Sequence, residues 1–177
     1  MTYQQLIDYY KRDQLAQEEI RARLGPVEGK ELAWNSLMLA KQTSNADALE
    51  HAFWLCRIFG FHAEAQPLKQ ELMYENWHHL HEDMLNYLDS MDGTKNVETF
   101  YWWSLNTPPA LAWDTDNRAF NRKAVRALVR LQSDDAKKRA SILRSSTDPK
   151  VCEFVMEQDE QNAGIAARRH NDPSRRT

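Results

Sequence analysis

The sequence contains little glycine and little cysteine, and it has no long hydrophobic run. Only five Gly and two Cys occur among its 177 residues. It carries no glycine-rich phosphate-binding loop, no G-x-S-x-G nucleophile motif and no paired cysteine site. No stretch approaches the length of a membrane span, and the first residues lack the apolar core of a signal peptide. We therefore predict a cytoplasmic protein that is not an enzyme, has no catalytic residue and holds no cofactor.

The remaining candidates for chemistry carry weak signals. Cys56 and Cys152 lie far apart in apolar runs, which favours packed thiols in a reducing compartment. Paired carboxylates could come from Glu71, Glu75, Glu82 and Asp83, but a run of charge on a helix is usually a solvated face. Neither set predicts a catalytic site.

The composition is typical of a globular, all-α chain. Hydrophobic residues make up 42% of the sequence, which is enough to build a core. Strand-like alternation is missing, and good helix formers dominate. Capping residues and first-turn prolines predict helices that begin near Asn45, Pro67, Asn96, Asp116, Ser133 and Asp148.

The segment 117–161 contains three short amphipathic patterns joined by very short connections. In each pattern the apolar residues recur at steps of three and four, which gives one apolar stripe per helix. None of these helices can bury its stripe alone. Short connections make successive helices antiparallel, and this arrangement is typical of an α-solenoid.

These residues resemble the HEAT and HEAT-like helical repeats. The pattern is A-V-R-A-L-V-R-L, a polar hinge S-D-D-A-K-K, a second helix ending in Leu, and then T-D-P-K-V. Leu88 and Met91 precede one polar hinge as Leu128 and Leu131 precede another, which gives a period of about 40 residues. The resemblance covers residues 66–161.

The resemblance implies a HEAT-like α-solenoid, which is a stack of antiparallel helical hairpins. Residues 1–62 would form a divergent N-terminal helical cap, and residues 66–161 would form the repeats. We expect one all-helical domain over residues 1–165 and a disordered tail over 166–177, because the tail has no apolar residues to bury.

Charge is distributed unevenly along the chain. Residues 71–120 contain two basic and nine acidic side chains, whereas residues 121–177 contain thirteen basic and eight acidic ones. The acidic block at 71–120 weighs against DNA or RNA as a partner. An acidic surface instead favours a basic protein.

A histidine-rich stretch raises the question of a metal site. On a continuous helix His78, His81 and Glu82 would share a face and could bind a transition metal. The spacing is neither that of the two-histidine metalloprotease motif nor that of a two-cysteine finger, and no second set of ligands lies nearby in the sequence. The alternative is a turn between helices, in which Glu82 and Asp83 complement the dipole of the next helix. We predict no metal.

Four consecutive aromatic residues occupy Phe100–Trp103, and Trp113 follows a break at Pro108-Pro109. Successive residues of a helix are rotated by about 100°, so at least one of the four rings must be exposed or half-exposed. Two interpretations remain open. The rings either wall the core or provide an aromatic anchor at a protein interface.

Small size, HEAT-like repeats with a divergent cap and an acidic aromatic face resemble bacterial immunity proteins. These are antidotes to the toxins of contact-dependent growth inhibition and other polymorphic toxin systems. The resemblance implies binding and neutralisation of a cognate, basic toxin domain, such as a nuclease, by a monomer in a one-to-one complex without nucleic acid or membrane. The predicted partner-binding residues are Glu82, Asp83, Asp89, Glu98, Tyr101, Trp102 and Trp113.

Two other functions remain open. One is a generic HEAT-like scaffold for a different protein partner. The other is a HEAT-like nucleic-acid enzyme of the alkylpurine glycosylase type, which the acidic block disfavours.

Overall fold

The computed structural model describes residue 5 and the ranges 17–62, 64–90 and 93–170, with side chains at the chain's end described as far as residue 165. Over these ranges the prediction of an all-α protein is confirmed, because they contain nine α-helices and no strand. None of the helices there is both long enough and apolar enough to cross a membrane. The helices are α1 (Gln17–Leu24), α2 (Pro26–Thr43), α3 (Ala46–Phe59), α4 (Ala65–Leu72), α5 (His81–Ser90), α6 (Val97–Leu105), α7 (Ala119–Arg130), α8 (Asp134–Arg144) and α9 (Pro149–His170).

Two compact units make up the chain, Met1–Leu80 and His81–Thr177. Helices α1 to α4 belong to the first unit and α5 to α9 to the second. The division falls after Leu80 rather than between residues 62 and 66, where the expected cap and repeats meet. One domain over residues 1–165 stays a prediction.

The first unit is built on the hairpin of α2 and α3. Ser44 is left-handed at the end of α2, and the Asn45 side chain accepts a hydrogen bond from Ala48 N–H at the start of α3. The two helices approach closely at Gly29, where an added Cβ would lie 2.2 Å from the ring of Phe59. Only a residue without a side chain fits that crossing.

The core of the first unit contains a thiol and a lysine as well as apolar side chains. Ile20, Leu55 and Ile58 are buried together with Cys56. Lys69 of α4 has no exposed surface, and its ammonium lies 3.9 Å from the centre of the Phe61 ring. A buried lysine is costly unless its charge is compensated or lost.

In the second unit, α6 packs mainly on α7, and α9 covers α7 and α8. Helix α5 also contacts α7, and α6 also contacts α8. Buried Asn121 joins α7 to the end of α6, because its Nδ2 donates to the carbonyls of Trp103 at 2.9 Å and Asn106 at 2.8 Å. Its Oδ1 accepts a hydrogen bond from Thr107. The core residues include Leu88, Phe100, Trp103, Phe120, Leu128, Leu143 and Val155.

Three of the predicted helix starts agree with the structure, and so do the capping contacts predicted for them. Asn45 and Ser133 cap α3 and α8 with their side chains. Asp148 accepts a hydrogen bond from Lys150 N–H at 3.0 Å, and Pro149 is the first residue of α9. These capping contacts are local, so the sequence alone indicates them.

The other three predicted starts are displaced or use different contacts. Helix α4 begins two residues before Pro67, at Ala65. Asn96 does precede α6, but its side chain donates to the Leu88 carbonyl instead of capping. Helix α7 begins at Ala119 rather than near Asp116, because Asp114 accepts the Ala119 N–H and fixes the start there.

The expected tail at 166–177 overlaps the last helix. Helix α9 continues through His170, so residues 166–170 are helical. Residues 171–177 lie outside the described residues.

Candidate partner-binding surface

The four consecutive rings of α6 divide between the core and the surface. Phe100 and Trp103 are buried, Tyr101 is half-buried, and Trp102 keeps 50% of its surface exposed. The prediction of at least one exposed ring is confirmed. Phe100 and Trp103 therefore wall the core, as the first interpretation expects, whereas the role of Trp102 as an anchor for a partner stays a prediction.

Two more apolar side chains are exposed on α6 and on α8, the helix that contacts it. Leu105, one turn further along α6, is 38% exposed, and Ile142 on the neighbouring α8 is 44% exposed. The guanidinium of Arg139 on α8 lies 4.6 Å from the centre of the Tyr101 ring. We call Tyr101, Trp102, Leu105, Arg139 and Ile142 the aromatic surface.

An ion pair holds the two helices of the aromatic surface in place. The Glu98 carboxylate accepts hydrogen bonds from Arg139 Nε at 2.8 Å and Nη2 at 2.7 Å. This bidentate geometry orients the planar guanidinium, so that it also stacks on Tyr101. The hydrogen bond to Glu98 raises the pKa of Arg139 further above its ordinary value.

Trp113 lies in the loop before α7 and is 78% exposed. Together with Glu82, Leu111 and Phe120 it lines a cavity of about 70 Å³. The structure therefore brings two of the predicted partner-binding residues, Glu82 and Trp113, to one cavity. Glu98, Tyr101 and Trp102 form a separate group on α6.

Three of the four predicted carboxylates are already engaged within the second unit. Glu82 pairs with Lys123, and Asp89 pairs with Arg130 at 2.9 Å. The Glu98 carboxylate binds Arg139 as described above. Asp83 is exposed and forms no ion pair with the residues that the structure describes.

The acidic block is therefore not a free acidic surface. The charge count along the chain suggested an excess of carboxylates at 71–120, but the basic residues of α7 and α8 fold back onto them. Exposed pairs of this kind contribute little to stability, and salt weakens them. Their effect is to fix the alignment of neighbouring helices and to reduce the local negative potential.

The three ion pairs share one sequence separation. Each joins residues 41 positions apart. A constant separation means that the chain from residue 82 to 98 lies alongside the chain from 123 to 139 in the same direction. Opposite charges at this recurring spacing were the signal in the sequence that would have revealed Arg139 as part of the surface.

The histidine-rich stretch does not form the arrangement that a metal site would need. His78 precedes the first residue of α5, so the premise of one continuous helix through His78, His81 and Glu82 is wrong. Glu82 and Asp83 do lie in the first turn of α5. Within the described ranges no group of three or more His, Cys, Asp or Glu could hold a metal ion. The absence of metal stays a prediction.

His78 has a structural role in the first unit. Its Nδ1 accepts a hydrogen bond from Leu80 N–H at 3.2 Å, so Nε2 carries the proton and donates to the Leu72 carbonyl at 2.9 Å. Burial lowers the pKa of His78, and the ring is neutral at pH 7.

The two thiols differ in their surroundings. Cys56 is buried, and burial raises its pKa to about 12, which makes it unreactive at neutral pH. Cys152 is half-buried at the start of α9, where its Sγ lies 3.3 Å from the Ser146 carbonyl. Lys69 lies near enough to Cys56 to oppose the rise in the pKa of that thiol, but the effect of burial is the larger one.

No protein-family model, curated protein or solved structure matches this chain. The exposed rings and the ion pairs are therefore the observations from which a function can be inferred.

Proposed function

We propose that this chain is an immunity protein, which binds a cognate bacterial toxin domain through the aromatic surface and neutralises it. The observation that carries the proposal is the half-exposed Trp102, which lies one turn before the exposed Leu105 on α6, the helix that also provides Glu98 for the pair with Arg139. Trp, Tyr and Arg are the side chains most enriched among residues that dominate binding energy. Exposed apolar side chains of this kind support an interaction site on this surface.

The HEAT-like arrangement belongs to the same proposal. The constant separation of 41 residues supports two successive repeats, α5 with α6 and α7 with α8. In a stack of such hairpins, equivalent helices of successive repeats lie side by side, and one helix of each pair lines the concave face. Helices α6 and α8 are then equivalent, and their shared face carries the aromatic surface.

The ion pairs change the expected balance between charge and anchoring. Because Glu82, Asp89 and Glu98 each have a basic partner, their attraction for a basic toxin is weaker than the charge count suggests. Affinity should therefore depend mainly on desolvation of the rings, and charge should contribute mainly to the association rate. A basic toxin, a one-to-one complex and a cytoplasmic location remain parts of this proposal.

A growth-rescue experiment tests the proposal. The toxin domain encoded beside the gene for this chain is expressed alone, with the wild-type chain, and with variants. We expect the wild-type chain to restore growth and the Trp102→Ala variant to restore it less completely. The complex should lose about 2 kcal/mol, or roughly thirtyfold in affinity, mainly through faster dissociation.

Met156→Ala is the matched control, because Met156 is a large exposed apolar residue on α9, a helix that contributes no residue to the aromatic surface. It should leave rescue and affinity unchanged. If Trp102→Ala and Met156→Ala behave alike while the complex persists, the aromatic surface is not the interface. If the chain binds several unrelated proteins and protects against no toxin, the function is that of a HEAT-like scaffold.

A further inference from the structure

A polar cavity of about 250 Å³ lies between α5 and α7. Its lining includes Asn86 and Asp89 from α5, and Lys123, Arg126 and Arg130 from α7. The volume corresponds to roughly eight water molecules at ~30 Å³ each, which is room for one small anion with part of its hydration shell. Three cations and one carboxylate line this cavity.

The three cations form a row along one face of α7. They occupy positions i, i+3 and i+7, so they lie one above another. Lys123 and Arg130, at the two ends, are paired with Glu82 and Asp89. Arg126, in the middle, is exposed and forms neither an ion pair nor a hydrogen bond with any residue that the structure describes.

The facing helix explains why Arg126 has no carboxylate. Asn86 lies four residues after Glu82 and three before Asp89, on the same face of α5. It occupies the place where a third carboxylate would complete the row of ion pairs. Its amide is neutral and can donate a hydrogen bond to an acceptor in the cavity.

We propose that this cavity is an oxyanion-binding site, in which Arg126 binds one phosphate or carboxylate group and the Asn86 amide donates to the same group. A planar guanidinium binds both kinds of oxyanion in a bidentate manner. Counting Glu82, the row has three cations and two carboxylates, which leaves one positive charge for one anion. The oxyanion is either a free phosphate-type ion or the carboxylate of an acidic side chain on a bound protein.

The test titrates the full chain with inorganic phosphate and, separately, with acetate at constant ionic strength. Nuclear magnetic resonance follows the side-chain signals of Asn86 and Arg126. Wild type should show saturable shifts in about the millimolar range, as expected for one partly exposed ion contact. Arg126→Gln should abolish saturation. Asn86→Asp should abolish it too, because the new carboxylate pairs with Arg126 and closes the site.

Lys138→Gln is the matched control, since it removes an exposed cation of α8 outside the cavity. It should leave the titration unchanged. Saturation by phosphate and not by acetate assigns the site to a phosphate-type ion. Saturation by both, together with a weaker toxin complex for Arg126→Gln, assigns it to a carboxylate of the partner. The second assignment rests on the proposed function, whereas the first does not.

Two results would overturn the oxyanion site. One is a linear, non-saturating response in the wild-type chain, which indicates only an ionic-strength effect. The other is a saturable response that survives Arg126→Gln or Asn86→Asp, or that disappears in Lys138→Gln. Either result leaves the aromatic surface and its growth-rescue test unaffected.

Discussion

Replacement of the buried Lys69 by methionine should change how the stability of the protein depends on pH. Burial lowers the pKa of Lys69 from 10.5 to about 8, against a smaller opposing effect of Cys56. Between these two pKa values the unfolded state binds more protons than the folded state. The free energy of unfolding therefore rises with pH across this interval.

The size of the effect follows from the two pKa values. From pH 7 to pH 9, Lys69 alone should add ~1.4 kcal/mol to the free energy of unfolding. Cys56 acts in the opposite direction, because its pKa is raised from 9.0 to about 12 and only the unfolded thiol ionises near pH 9. That group should remove ~0.4 kcal/mol at pH 9, which leaves a net rise of about 1 kcal/mol.

Urea unfolding at pH 7 and pH 9 measures this rise. Lys69→Met should be more stable than wild type at pH 7, because no charge is buried, and it should lose the rise toward pH 9. Cys56→Ala is the control and should show a slightly larger rise than wild type. A Lys69→Met variant that keeps the full rise would refute the reasoning, because another group would then be responsible.

Three further predictions concern packing, hydrogen bonding and metal. Gly29→Ala should lower the free energy of unfolding by about 1–3 kcal/mol through overlap with Phe59, and Phe59→Leu should partly restore it in urea denaturation. Asn121→Ala should lower the free energy of unfolding by about 2–4 kcal/mol, because two buried carbonyls lose their hydrogen-bond donor. A change near zero in the same assay would mean that water replaces the amide. Elemental analysis should find no stoichiometric zinc or iron in the protein, and a chelator should not change the melting temperature of the His78→Ala/His81→Ala variant. A metal that is present in the wild-type chain and lost in that variant would contradict this prediction.

Local features of the sequence predicted the helices well. Asn45 and Ser133 cap their helices because the hydrogen bond closes within three residues, and no distant contact is needed. Asn96 differs because a buried carbonyl eight residues earlier competes for its side chain. Helix α7 begins later than predicted for a similar reason, because the Asp114 side chain accepts the N–H of Ala119 rather than that of a nearer residue.

The candidate site was less predictable because it depends on contacts between distant segments. Rotation of 100° per residue required an exposed ring on α6, but only packing decides that Trp102 is that ring. The charge count overestimated the acidity of the surface because it ignored pairing across 41 residues. Ile142 was not among the predicted partner-binding residues, because α8 contacts α6 only in the folded unit.

The neutral Asn86 also restricts how α5 and α7 can be aligned. A slip of α7 by one turn, about 5.4 Å, would bring Arg126 opposite one carboxylate of α5 and leave the other facing no cation. The observed alignment forms two pairs, and either slipped alignment forms one. The pairs are too exposed to add much stability, but they distinguish the correct alignment from its nearest competitors during folding. A carboxylate in place of Asn86 would add one ion pair to every alignment. The relative advantage of the observed alignment, counted in ion pairs, would then be smaller.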